Sequence, residues 1–199
     1  MKHNPANNTH MINDLLRIRW SPRAFADKKI DDSIIKRLFE AARWAPSAFN
    51  EQPWRYIFGI KGTKSYEKIR EVLIEFNQIW TETAPLLILN ITKQNFTLNN
   101  HPNHTCEYDL GQSVANISIE AIENGLYSHQ MSGFDSDKAK DIFDIPDGYH
   151  AVSVIAIGYL GDPDSLPENM REMETRERER NDFNSFVFTE EFDKKSDIF

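Results

Sequence analysis

Three short apolar runs constrain this chain most: WRYIFGI at residues 54–60, PLLILNI at 85–91 and HAVSVIAIGYLG at 150–161. The first is dense in aromatic and β-branched residues and predicts a strand; the other two read as buried strands. The longest of them is far too short to span a bilayer. Between the runs lie segments of helical periodicity. Residues 31–45 place Ile34, Leu38, Ala41 and Ala42 on one face, with Asp31, Asp32 or Ser33 as N-cap. Residues 64–80 carry Ile69, Leu73, Phe76 and Trp80 at helical spacing, and 109–127 form a long helix rich in small apolar residues. A shorter helix, begun by Thr9 or Asn13, must stop near Ser21 because Pro22 forbids continuation. Strands separated by helices this irregular do not make consecutive βαβ units. They predict an α+β sheet packed on helices.

The 199 residues suit one domain, and the formal charge of −8 argues against a protein built to bind nucleic acid. A single cysteine, Cys106, rules out an internal disulfide framework and fits a reducing compartment. The first ten residues, MKHNPANNTH, lack the apolar core of a secretory signal, so a cytoplasmic protein with no membrane segment is expected. Residues 1–9 read as a flexible N-terminus, 10–162 as the folded domain and 163–199 as a C-terminal extension. That extension is highly charged and then carries Phe183, Phe186, Phe188 and Phe192. Such a row of large apolar side chains must pack on its own domain or on a partner subunit.

Against the acidic background, RIRWSPRAF sets three arginines within residues 17–25. In an extended segment, alternate residues share a side, so Arg19, Ser21 and Arg23 are placed to converge on one anion. A solvated helix end is the plainer account of the same residues. APSAFNEQPW, residues 45–54, brackets Ser47, Asn50 and Gln52 between two prolines, which suits the edge of a planar heterocycle or simply a stiff turn. MSGFD, residues 131–135, offers a close backbone approach at Gly133 and a helix cap at Asp135. Arg176, Arg178 and Arg180 alternate with glutamates, the usual pattern of a solvated face. HPNHTCEYD holds His101, His104, Cys106 and Asp109, but its spacing matches no closed zinc pattern, so no metal is expected.

Taken in order, these stretches resemble the nitroreductase family of flavin enzymes. The resemblance rests on Arg19-x-Ser21-x-Arg23 with Phe25, then Ala45-Pro46-Ser47-x-x-Asn50-x-Gln52-Pro53-Trp54, and Ala84-Pro85 before a strand. Asp109-x-Gly111, Gly125-Leu126, Met131-x-Gly133-Phe134-Asp135, Ile145-Pro146 and Gly158-Tyr159 continue it, from about residue 10 to residue 190. It implies a central, mostly antiparallel sheet flanked by helices, in a homodimer that exchanges a C-terminal arm and holds FMN at the subunit interface. Arg19 and Ser21 would serve mainly the ribityl phosphate, with Trp20 between them also at the cofactor, and Arg23 the ring near N1 and the C2 carbonyl. Pro46, Ser47, Ala48 and Asn50 would come from the other subunit. Met131, Ser132 and Gly133 would lie at flavin N5, and Arg178 and Arg180, or Arg176, would complete the phosphate site.

The activity implied is FMN-dependent hydride transfer from NADH or NADPH to an electron-poor small molecule such as a nitroaromatic or quinone. No side chain acts as a nucleophile. Three alternatives remain at this stage: a specialised flavin enzyme of dehalogenase or azoline-oxidase type, a non-catalytic FMN-storage protein, or a cofactor-free protein whose arginines meet an acidic partner. The polar loop between Lys93 and Tyr108 departs most from the family pattern, and leaves the substrate open.

Overall fold

The structure is a computed structural model and describes residues 4–198; residues 1–3 and 199 lie outside it. In chain order the elements are α1 (Asp14–Ile18), α2 (Asp32–Arg43), β1 (Trp54–Ile60), α3 (Lys64–Val72), α4 (Glu75–Thr81) and β2 (Leu86–Lys93). Then follow α5 (Cys106–Glu123), β3 (Tyr127–Met131), α6 (Ser136–Ile142), β4 (Tyr149–Gly158) and α7 (Glu168–Thr175). Side chains of Asn13, Asp31, Thr63 and Asp135 cap α1, α2, α3 and α6, each satisfying a backbone N–H the helix leaves open.

The four strands form one sheet in the order β1-β2-β4-β3, and every neighbouring pair is antiparallel. The central strands are apolar on both faces because both are covered. Leu86 and Ile88 of β2, with Ile155 and Ile157 of β4, pack against α2 and α5. Leu87, Leu89 and Ile91, with Val154 and Ala156, face a second core containing Tyr66, Ile69 and Trp80 of α3 and α4. The result is a helix–sheet–helix sandwich, as the runs at 85–91 and 150–161 require. No helix among the described residues is long and apolar enough to cross a membrane.

Two expectations need correction. The helix expected over 64–80 is two helices. Leu73 leaves the helical path to bridge Phe134, and the amides of Ile74 and Asp135 bond to the carbonyls of Gly133 and Val72. Tertiary pairing with the MSGFD turn outweighs an unbroken helical pattern. The long helix spans 106–123 instead of 109–127. Gly125, at φ +71°, turns the chain at its end, and Tyr127–Met131 becomes an edge strand paired with β4. That strand, YSHQM, carries too little apolar alternation to be read from sequence.

The C-terminal extension begins on its own chain: Leu166, Met170 and Glu174 are buried against the second core. Further along, Phe186, Phe192 and Ile198 are exposed. Ahead of α1, the amide of Ala6 donates to the carbonyl of Arg17 at 2.8 Å, and His10 lies against Phe183 with ring centroids 5.4 Å apart.

Candidate functional site

The chain leaves the helix at Arg19 (ψ 126°), earlier than the stop near Ser21 expected from Pro22, and the extended segment that follows is held from three sides. Its far end bridges Leu160 at Phe25 and packs against Gly161, where a Cβ would come within 2.5 Å of the Phe25 backbone. From β3, His129 Nδ1 lies 2.9 Å from the carbonyl oxygen of Pro22. From α7, the carboxylate of Glu174, only 3% exposed, accepts the amide of Arg23 at 2.8 and 3.0 Å and that of Ala24 at 3.0 Å. Neither His129 nor Glu174 carries a sequence signal. One is a lone histidine in an unrecognised strand, and the other is one glutamate in a charged run.

α7 then delivers the C-terminal arginines to the same place. Arg19, Trp20 and Ser21 line one pocket of about 230 Å³ together with Arg176, Arg178 and Arg180. Arg19 Nη1 lies 3.4 Å from Ser21 Oγ. Burial, and then the field of Arg180, lowers the Arg19 pKa; burial, Arg19 and Arg180 lower that of Arg178. Among the described residues, Arg17, Arg37, Arg43, Arg70 and Arg171 form ion pairs with carboxylates, but these four pocket arginines form none. One carboxylate, that of Glu177, shares the pocket wall. In a chain with net charge −8, arginines kept together and without an ion pair among the described residues mark a site for an external anion.

Arg23 does not line this pocket, so of the three residues expected to converge only Arg19 and Ser21 do; Arg23 Nε and, on the pocket wall, Trp20 Nε1 are buried without a hydrogen-bond partner among the described residues. Such donors are costly to bury unless a bound group accepts from them. Burial lowers the Arg23 pKa, with Glu174 opposing, and its guanidinium lies 5.9 Å from the centre of the Phe76 ring. One residue along α4, Asn77 Nδ2 donates to the carbonyl of Gly133 at 2.9 Å. A Cβ on Gly133 would come 2.7 Å from Ile74 Cδ1 and 2.8 Å from Asn77 Nδ2, so the turn lies flat against α4. Thus Met131, Ser132 and Gly133, at the end of β3, share a neighbourhood with Arg23.

His129 stays neutral there. Burial is the main cause that pushes its pKa down to about 4, with the nearby Arg23 charge adding to it. The imidazole, tilted 37° against Trp80 with ring centroids 4.6 Å apart, therefore donates an Nδ1–H hydrogen bond to the carbonyl of Pro22 and leaves Arg23 as the cation beside it. The unfolded chain binds more protons than the folded one between about pH 6.5 and pH 4. Stability that His129 contributes in full above pH 6.5 is therefore lost as pH falls through this window, by about 3 kcal/mol. Urea unfolding of the wild type and His129→Gln at pH 7 and pH 4 reads this directly: the gap between them should close by that amount.

The proline-bracketed segment lies elsewhere. Asp109, at the start of α5, accepts the Ala48 amide at 3.1 Å, and Ser47 Oγ accepts that of Gln52 at 3.0 Å. They hold Phe49, Asn50 and Gln52 at φ between +50° and +56°, a costly conformation for residues with a Cβ. Pro46, Ser47, Ala48 and Asn50 precede β1, at the sheet edge opposite β3. Three strand spacings, about 14 Å, separate the two edges. The Asn50 segment is thus not brought to the arginines within one chain. Beside it, Glu51 accepts the Thr97 amide at 2.9 and 3.0 Å and pairs with Lys93, pinning the histidine-bearing loop. His101 and His104 are exposed, and among the described residues no three His, Cys, Asp or Glu side chains are grouped to hold a metal.

Comparison with known proteins agrees with this geometry. A crystal structure described as an oxidoreductase containing FMN superposes with a TM-score of 0.91 at 30% identity, over 98% of this chain and 100% of that one. A nitroreductase family protein from Clostridium difficile 630 superposes with a TM-score of 0.69 at 24% identity, over 89% and 96%. An uncharacterised 15.4 kDa protein of Mycolicibacterium smegmatis is 38% identical over 81 residues, which are 41% of this chain and 54% of that protein. The nitroreductase family model matches residues 16–79, the stretch that holds the Arg19–Arg23 and Ala45–Trp54 segments. With one relative matched along its whole length and the arginine, glycine and proline-bracketed segments placed as described, the chain belongs to the nitroreductase family.

Proposed function

We propose that this chain is an FMN-dependent oxidoreductase that works as a homodimer, with NADH or NADPH as donor and an electron-poor nitroaromatic or quinone as acceptor. The carrying observation is the pocket in which four arginines and Ser21 meet, with no ion pair from those arginines to a carboxylate among the described residues. When bound, FMN would supply the hydride-transfer chemistry that links the nicotinamide to the acceptor, with ping-pong kinetics.

The protein's part is binding, orientation and charge. Arg19, Ser21, Arg178 and Arg180 grip the ribityl phosphate, with Arg176 on the same wall. The unpartnered Arg23 Nε and Trp20 Nε1 suit a bound group that accepts from them. A fixed guanidinium at Arg23 stabilises the negative charge that collects around N1 and the C2 carbonyl of a reduced flavin. Neutral His129 holds the Arg23 segment without adding a competing cation. The Ser132–Gly133 backbone serves the N5 side, as the family resemblance implies.

The Pro46–Asn50 segment serves the site of a second copy. Its place at the opposite sheet edge supports this, as do Phe49 within it and Trp44 just before it, 94% and 74% exposed. The test is anaerobic titration of the purified, FMN-loaded protein. One of the two nicotinamides is expected to bleach the visible flavin absorbance, and a nitroaromatic or quinone to restore it. Protein that stays colourless after incubation with FMN would sink the proposal. Bound FMN that neither nicotinamide reduces would point instead to storage or to another donor.

A further inference from the structure

The chain ahead of α1 runs along the anion pocket and ties its two arginine-bearing segments together. Asn4 lines the pocket itself. Its side-chain Nδ2 donates to the carbonyl of Arg176 at 3.0 Å, and its own carbonyl accepts from Arg178 Nη1 at 2.9 Å. The same Nη1 donates to the carbonyl of Arg17 at 3.3 Å, and Ala6 N donates to that carbonyl at 2.8 Å. The segment is thus joined to the end of α1 on one side and to residues 176–178 on the other.

We propose that residues 4–6 act as a strap beside this pocket, anchored by Ala6 on Arg17, with Asn4 as the positioning residue that presents Arg178 to a bound phosphate monoester. The inference deepens, and rests on, the reading of the pocket as the FMN phosphate site. A guanidinium has five N–H donors. The carbonyls of Asn4 and Arg17 take up those of Nη1, and among the described residues the Nε–Nη2 edge of Arg178 has no hydrogen-bond partner. That edge is the one that engages two oxygens of a phosphate side by side. The two carbonyl dipoles also offset the repulsion Arg178 feels from Arg19 and Arg180. Without the strap, Arg178 keeps only the longer of its two carbonyl bonds, so its 3.3 Å contact with Arg17 is the one hydrogen bond left between residues 176–178 and α1 among the described residues. The plain alternative is an exposed polar contact that does nothing for the ligand.

Two variants separate these accounts: the chain lacking residues 2–10, and full-length Asn4→Ala. Each is compared with the wild type for affinity toward FMN and riboflavin, and for thermal protection by inorganic phosphate. Removing the strap should weaken FMN binding about tenfold, the loss of one charge-assisted hydrogen bond. Riboflavin, which lacks the phosphate, should bind all three proteins within about twofold on the same argument. Asn4→Ala should fall between, since its backbone carbonyl remains. Protection by phosphate should shrink in parallel with FMN affinity, while ligand-free Asn4→Ala, which loses one exposed contact, melts close to the wild type. Unchanged FMN affinity and phosphate protection, or equal loss for FMN and riboflavin, would overturn the inference. If the wild type responds to phosphate but binds no flavin, the flavin reading fails while the phosphate comparison still decides the strap. If it responds to neither, both fall.

Discussion

Arg19→Ala/Arg178→Ala is expected to bind FMN on the order of 10²- to 10³-fold more weakly than the wild type, because two charge-assisted contacts to the phosphate are removed at once. The same double variant should unfold at nearly the same temperature when no ligand is present. Arg19 makes only a long contact to Ser21, and both guanidinium groups carry charges that burial and their neighbours already disfavour. Losing them relieves repulsion and offsets the two carbonyl bonds that Arg178 gives up. Flavin content after dialysis and calorimetry of the apoprotein measure the two halves of this expectation. An ordinary structural arginine pair behaves the other way round, with stability falling and ligand content unaffected. Retention of FMN by the double variant would remove the basis for placing the phosphate here.

Glu174→Ala is expected to destabilise the fold by about 3–5 kcal/mol. The carboxylate is almost wholly buried and holds the amides of Arg23 and Ala24, which have no water to turn to when it is gone. Burial raises the Glu174 pKa, against the pull of those amides and of Arg23, so the acid is already held at some cost. Glu174→Gln retains one carbonyl acceptor and should lose about half as much. Urea unfolding gives both values. Because Glu174 ties α7 to the Arg23 turn, and Arg176, Arg178 and Arg180 follow directly after α7, FMN affinity should drop in Glu174→Ala even where most of the protein is folded. A loss below about 1 kcal/mol, the worth of a typical exposed contact, would mean that the clasp is not formed.

Much of the framework was legible because its causes are local. Pro22 bars α1 from running on whatever lies around it, Asp31 caps α2 through its own neighbour, and the apolar runs of β2 and β4 need cover on both sides. The anion site was half legible. Arg19, Ser21 and Arg23 stand out by spacing within five residues, whereas Arg178 and Arg180 sit in a run that looks like solvated surface. What brings them together is contact across most of the chain: Glu174 to Arg23 spans 151 residues, and Arg178 to Asn4 spans 174. No periodicity registers such pairs.

The broken helix at Leu73 and the strand at 127–131 were missed for the same reason. Leu73 fits a helix until Phe134 is placed beside it, and YSHQM is a poor strand until β4 offers an edge. By itself the sequence determined where elements start and stop, which faces are apolar, and that arginines and glycines recur at spacings suited to an anion and a close backbone approach. Only the tertiary structure decided that the arginines from both ends of the chain share one pocket, that Glu174, His129 and Asn4 hold them there, and that the Asn50 segment faces away. The physical reason is that caps, prolines and periodic apolar faces act between near neighbours. A buried carboxylate or an unpaired guanidinium takes its meaning from groups that only folding brings within 3 Å.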